Sequence, residues 1–183
     1  MYIAHADSPV GALTLASADG VTLSGLWIDG QKYDRALLKD EAVRECEIDS
    51  LTIFQEAVRW LQIYFSGKEP NFYPRLSLSG SDFRREIARE MLAVPYGHTA
   101  SYKQLAESLA ARQGKSYVSP HATGGAVAHN PLLILIPCHR IIGADGRLSG
   151  YAGGIEKKKY LLRLERAELN LQKCNTSKEK IRI

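Results

Sequence analysis

Cys138, His139 and Arg140 follow one another in the run Ile136-Pro137-Cys138-His139-Arg140-Ile141-Ile142. A thiol beside an imidazole and a guanidinium suggests an activated nucleophile. A free cysteine has a pKa of about 8.5, so only a few per cent is thiolate at neutral pH, and nucleophilic work requires a base or a positive surrounding. His139 is the base at hand. Adjacent side chains usually diverge, so a water bridging it to the sulfur is as compatible with the sequence as direct contact. A base also needs an orienting partner. Glu165 is the candidate, because Lys158, Leu161, Leu162 and Glu165 share one face of a helix expected from Ile155 to about Ala167. A carboxylate among leucines needs a partner, and a histidine would serve. Taken singly, Cys138 reads as a small hydrophobe at a strand end and His139 and Arg140 as surface groups.

The elements that must hold these groups are legible in outline. Leu132-Leu133-Ile134-Leu135-Ile136 reads as a strand buried on both faces, and Pro137 should end its pairing where the thiol emerges. Upstream, Ser81-Asp82 opens a helix to about Ala93, and Pro95-Tyr96-Gly97 breaks the chain. Ser101 and Gln104 have capping-box spacing, so a helix starts at Ser101 and ends before Gly114. Ser119-Pro120 starts another, to His129. Two short helices joined by a turn fit a helix-turn-helix. The second is small-sided (Ala122, Gly124, Gly125, Ala126, Ala128), for which core packing is the commoner cause, and histidine is its sole basic residue type, which argues against an ordinary major-groove reader.

The first seventy residues read as strands and one helix. Leu13 and Leu15 alternate with polar or small residues, Asp19-Gly20 signals a hairpin turn, and Val21 to Ile28 supplies the returning strand. Leu51, Phe54, Val58, Leu61 and Phe65 have helical spacing, ended by Gly67. Pro70 and Pro74 mark a connector. No catalytic constellation is visible in this half, which reads as a scaffold.

The chain has 183 residues, is 45% hydrophobic and 24% charged, and carries a net charge of +4. That is enough for one ordinary domain or two small ones with a real core. The charge permits contact with phosphate without requiring it. No run reaches membrane-span length, and the opening residues lack a signal-peptide pattern, so no membrane association and a cytoplasmic location are expected. Three cysteines, Cys46, Cys138 and Cys174, are too few and scattered for a disulfide framework or a structural zinc site, so no metal and no cofactor are expected.

The segment from Asn130-Pro131 through the cysteine run and Ser149-Gly150-Tyr151-Ala152-Gly153-Gly154 to Glu165 resembles the active-site region of the O6-alkylguanine-DNA alkyltransferases. Ser8-Pro9-Val10-Gly11 followed by Leu13-Thr14-Leu15 looks like that family's first hairpin. The resemblance implies an α/β (α+β) protein: a ribonuclease-H-like strand/helix domain over 1–76, then a mainly helical domain over 77–170 with a winged-helix-like helix-turn-helix. Residues 171–183 would form a flexible basic tail. It implies a monomer that repairs double-stranded DNA once per molecule. The alkyl group of O6-alkylguanine, and of O4-alkylthymine, would pass irreversibly to Cys138.

By the same resemblance, Glu165, His139 and a water form the proton relay. Tyr102 helps rotate the nucleotide and donates to the leaving base, and Asn130 ties the turn before the active-site strand. His121 and Ala122 lie where the recognition helix meets DNA, with His121 where relatives often place an arginine. The expected base-binding set is completed by Arg140, Tyr151, Ala152, Gly153 and Lys158, with Lys158 steadying the loop. Three rivals remain: a lesion-recognition protein of the same fold, a cysteine hydrolase using Cys138 and His139, and a redox-sensing thiol.

Overall fold

The computed structural model describes residues 1–33, 38 and 42–166; the expected tail at 171–183, with Cys174, lies outside them. Three antiparallel strands, β1 (Tyr2–Ala6), β2 (Leu13–Ser17) and β3 (Gly25–Ile28), form a sheet in the order β3-β2-β1. A two-residue strand β4 (Arg44–Glu45) adds in parallel beside β1. The turn between β2 and β3 forms where Asp19-Gly20 indicated, with the Asp19 carboxylate accepting from the N–H groups of Val21 and Thr22. The returning strand is shorter than expected, since residues 21–24 are spent on the turn and on a bridge from Leu23 to Leu76 in the connector.

Helix α1 (Thr52–Phe65) buries Ile53, Phe54, Ala57, Trp60, Leu61 and Tyr64. Val58 and Phe65, expected in the buried stripe, are only half-buried, so the core-facing side is rotated toward Trp60 and Tyr64. That rotation matters, because it aims the polar tip of Tyr64 inward.

In the second half, α2 (Asp82–Leu92) is capped by Ser81, and α3 (Tyr102–Arg112) carries the complete capping box of Ser101 and Gln104. Helix α4 (Pro120–Ala128) begins with Ser119 as cap and proline in its first turn. Arg112 is not free for a distant partner. Its Nε donates to Glu90 at 2.7 Å and its guanidinium also pairs with Glu86, tying α3 to α2. On α4, Thr123, Ala126 and Val127 face the core, whereas Ala122, Gly125 and Ala128 are exposed. The small side chains therefore smooth an outer surface as much as they permit packing.

The largest departure is the segment 132–136. Its five aliphatic residues are buried to 1% exposure or less, yet they form turns rather than a strand. Leu132 makes a single bridge to Leu26 of β3. The chain then coils: the Leu135 N–H donates to the Leu133 carbonyl at 2.8 Å around Ile134, whose φ is +70°. A β-branched residue at positive φ is strained, at a cost of order 1–3 kcal/mol. Complete burial of the Ile134 side chain holds it there. An apolar run of five records burial on all sides and is silent about backbone path.

Two short ladders fix this segment in space. At one end the Leu26 N–H donates to the Pro131 carbonyl and the Leu133 N–H to the Leu26 carbonyl, at 2.8 and 2.9 Å. At the other, β6 (Ile141–Ile142) pairs in parallel with β5 (Ala100–Ser101), immediately before α3. Helix α5 (Ile155–Leu164) packs against the turn at Cys138–Arg140. The reactive run is thus clamped between the N-terminal sheet and the start of α3.

Candidate active site

Pro137 (φ −80°, ψ 59°) turns the chain so that the Cys138 N–H donates to the Ile136 carbonyl at 2.8 Å, and Cys138–Arg140 forms one turn of 3-10 helix. Cys138 is 4% exposed. Burial pushes its thiol up; the Asn130 hydrogen bond, the Lys158 charge and the backbone of Cys138 and His139 oppose this by favouring thiolate. Asn130 does two jobs with one amide. Its Oδ1 accepts from the Leu132 N–H at 3.0 Å, while Nδ2 donates to the Ile136 carbonyl at 2.9 Å and stands 3.2 Å from Cys138 Sγ.

Behind the thiol lies a fully buried polar cluster. His139 Nε2 is 2.6 Å from Glu165 Oε1. Glu165 sits just past the end of α5, as its C-cap. Its carboxylate also accepts from the Tyr64 hydroxyl at 2.6 Å, from Arg140 Nε at 2.9 Å and Nη2 at 3.2 Å, and from the Gly97 N–H at 3.2 Å. Burial raises its pKa, but the His139 and Arg140 bonds and charges outweigh that and hold it at about 2. Glu165 is therefore an acceptor throughout, so Nε2 of His139 must carry the ring proton in the neutral imidazole. Nδ1 is then the basic nitrogen, and it has no hydrogen-bond partner among the described residues. Burial lowers the His139 pKa, which keeps the ring neutral and able to accept a proton.

Cys138 opens onto a cavity of about 260 Å³. One wall is α4, through Gly124, Val127 and Ala128; another is Gly150, Tyr151 and Ala152; Tyr102 closes a third side. Ser149 Oγ donates to the Tyr102 hydroxyl at 3.1 Å, which leaves the phenol proton for another acceptor. Lys158 is wholly buried, and its ammonium donates to the carbonyls of Ile141 and Ser149, tying the 149–154 loop to the end of the reactive run.

Cys138, Tyr102, Tyr151 and Ala152 meet at the cavity, with Asn130, His139 and Glu165 directly behind. His121 and Ala122 are exposed on the first turn of α4 and do not line it. Arg140, expected against the base, is instead buried and forked between Glu165 and the Val94 carbonyl. Gly153 also lies outside the lining. A side chain there would meet Tyr151 at 2.8 Å and Ile28 at 2.9 Å, so its smallness serves packing of the loop on β3 rather than room for an alkyl group.

The first half is more than scaffold. It supplies Tyr64 to the buried cluster, and Lys32 and Tyr33 to the cavity wall. Tyr33 stacks on His129 with centroids 4.4 Å apart, and the Lys32 N–H donates to the Ala152 carbonyl at 3.0 Å. A tyrosine three residues after a core leucine of α1 was the available signal for Tyr64, since a buried phenol needs a polar partner.

Residues 1–78 match the model of the 6-O-methylguanine DNA methyltransferase ribonuclease-like domain, and residues 82–167 that of the same family's DNA binding domain. The methylated-DNA–protein-cysteine methyltransferase of Mycolicibacterium paratuberculosis is 41% identical over 160 residues, 87% of this chain and 89% of that one. Its counterpart in Methanosarcina barkeri is 36% identical, over 92% of this chain and 99% of that one. A crystal structure of Mycobacterium tuberculosis OGT in complex with DNA superimposes with a TM-score of 0.76 at 35% identity, covering 91% and 93% of the two chains. With two family models spanning nearly the whole described chain, and relatives this similar along their length, the protein belongs to the 6-O-methylguanine DNA methyltransferase family.

Proposed function

We propose that this protein repairs alkylated DNA by moving the alkyl group of O6-alkylguanine onto Cys138, once per molecule. The observation that carries the reading is the position of Cys138 at the floor of a cavity, with a buried His139–Glu165 pair behind it. In the proposed step the thiol proton passes to His139 Nδ1 through a water. The S–C bond forms as the C–O6 bond breaks, and the guanine leaves with the electron pair of that bond, taking a hydrogen bond from the Tyr102 hydroxyl.

Glu165 does not take the proton, being too well satisfied as a carboxylate; it orients the ring and stabilises the imidazolium. The base must leave the helical stack to reach the cavity, at a cost of a few kcal/mol. The exposed small-sided face of α4, with His121 at its start, is the surface we assign to DNA. A thioether is no leaving group at neutral pH, so the protein is spent after one event.

The test is intact mass after incubation with a duplex carrying one O6-methylguanine, for wild type and Cys138→Ala. A gain of one methyl on wild type alone, mapped to the Cys138 peptide and saturating at one per molecule, is expected. Lesion binding without gain would favour a recognition protein, and repeated turnover a hydrolase.

A further inference from the structure

Among the described residues, Tyr64 is the hydrogen-bond link from the N-terminal half to the His139–Glu165 pair. Its hydroxyl donates to Glu165 Oε1 at 2.6 Å and its oxygen lies 3.2 Å from His139 Nε2. We propose that Tyr64 is a positioning residue for alkyl transfer, holding the proton on His139 Nε2 so that Nδ1 remains the basic nitrogen. The proposal rests on the alkyl-transfer reading above.

Two buried groups 2.6 Å apart can place one proton on either partner. A third donor on the shared oxygen stabilises the carboxylate, so the proton stays with nitrogen. Tyr64 suits this work because it does not ionise: burial and the Glu165 charge both push its pKa upward. Its ring cannot drift either. It stacks on Trp60 at 5.2 Å, meets the Tyr96 edge at 6.1 Å, and faces His139 at 70°. The hydroxyl is therefore placed by α1, which couples the folding of the first half to the strength of the base in the second.

Without the hydroxyl, Glu165 keeps its bonds to His139, Arg140 and Gly97 but carries more unshared charge. The imidazolium is then stabilised more, and the acid limb of the transfer rate moves to higher pH. One charge-assisted hydrogen bond corresponds to a shift of about one pH unit, or about tenfold in rate on that limb.

The experiment uses the full chain. Single-turnover transfer from an O6-methylguanine duplex is followed against pH for wild type and Tyr64→Phe, with the ring nitrogens of His139 titrated by nitrogen-15 NMR. Expected are an upward shift of the limb and of the Nδ1 titration, both absent when Tyr64→Phe is added to Glu165→Gln. An unmoved limb and an unmoved titration, even with a slower rate, would overturn the proposal, since loosened packing lowers rate without shifting either. Should wild type accept no methyl, the alkyl-transfer reading fails, while the NMR titration still decides the role of Tyr64. Should Tyr64→Phe not fold, a fluorotyrosine at position 64 keeps the shape and strengthens the donor. The limb and the titration must then move to lower pH, and standing still refutes the idea.

Discussion

Asn130 Nδ2 stands 3.2 Å from Cys138 Sγ while bonding the Ile136 carbonyl, so one amide both shapes the turn and stabilises a thiolate. Asn130→Asp keeps the size and the acceptor for the Leu132 N–H but puts a negative charge beside the sulfur. The Cys138 pKa should rise further and transfer should slow about 10- to 100-fold, the equivalent of one to two pKa units. Ultraviolet titration of the thiolate, paired with single-turnover rates, checks both.

Glu165 has its pKa lowered from 4.5 to about 2 in the folded protein. A depressed carboxylate contributes stability that is present above its unfolded value and lost as pH falls through the folded one. The shift is worth about 3 kcal/mol, disappearing between about pH 4.5 and 2. Glu165→Gln should flatten that part of the stability curve. It should also lower stability at neutral pH, because the Arg140 guanidinium, 4% exposed, loses its counter-charge. Urea denaturation at a series of pH values reads both effects.

Lys158 titrates at about 8 rather than 10.5, because burial disfavours the ammonium; the Cys138 thiolate works in the opposite sense. Between those two values the unfolded chain binds more protons than the folded one, so stability from this group rises with pH across that window. Lys158→Met should abolish the rise. It should also slow transfer by releasing the loop held at Ser149 and Ile141, with the far-ultraviolet spectrum unchanged.

Gly153→Ala places a methyl against the Tyr151 ring and Ile28. Overpacking of this kind costs about 1–3 kcal/mol. Because the displaced ring belongs to the cavity wall, transfer should fall more than the melting temperature does. An unchanged transfer rate would show that the loop does not shape the cavity.

Local signals in the chain were sufficient for the elements that depend on neighbours. The capping box at Ser101, the Ser119-Pro120 helix start and the Asp19-Gly20 turn all form where the residues indicate, since each is a bond between groups three residues apart or closer. The adjacency of Cys138 and His139, and the face shared by Lys158 and Glu165, were also legible, because helical spacing fixes which side chains point together.

What only the tertiary structure decided are the relationships that span the chain. Tyr64 reaches Glu165 across 101 positions, and Arg140 turns inward to the same carboxylate instead of outward to a base. The run 132–136 coils rather than extends, and the residues could not show this, because burial on every side leaves no alternation by which strand and turn differ. Periodicity reports which face of an element is covered. It does not report which distant group does the covering, and the buried charge of Glu165 is satisfied by whichever donors the packing brings to it.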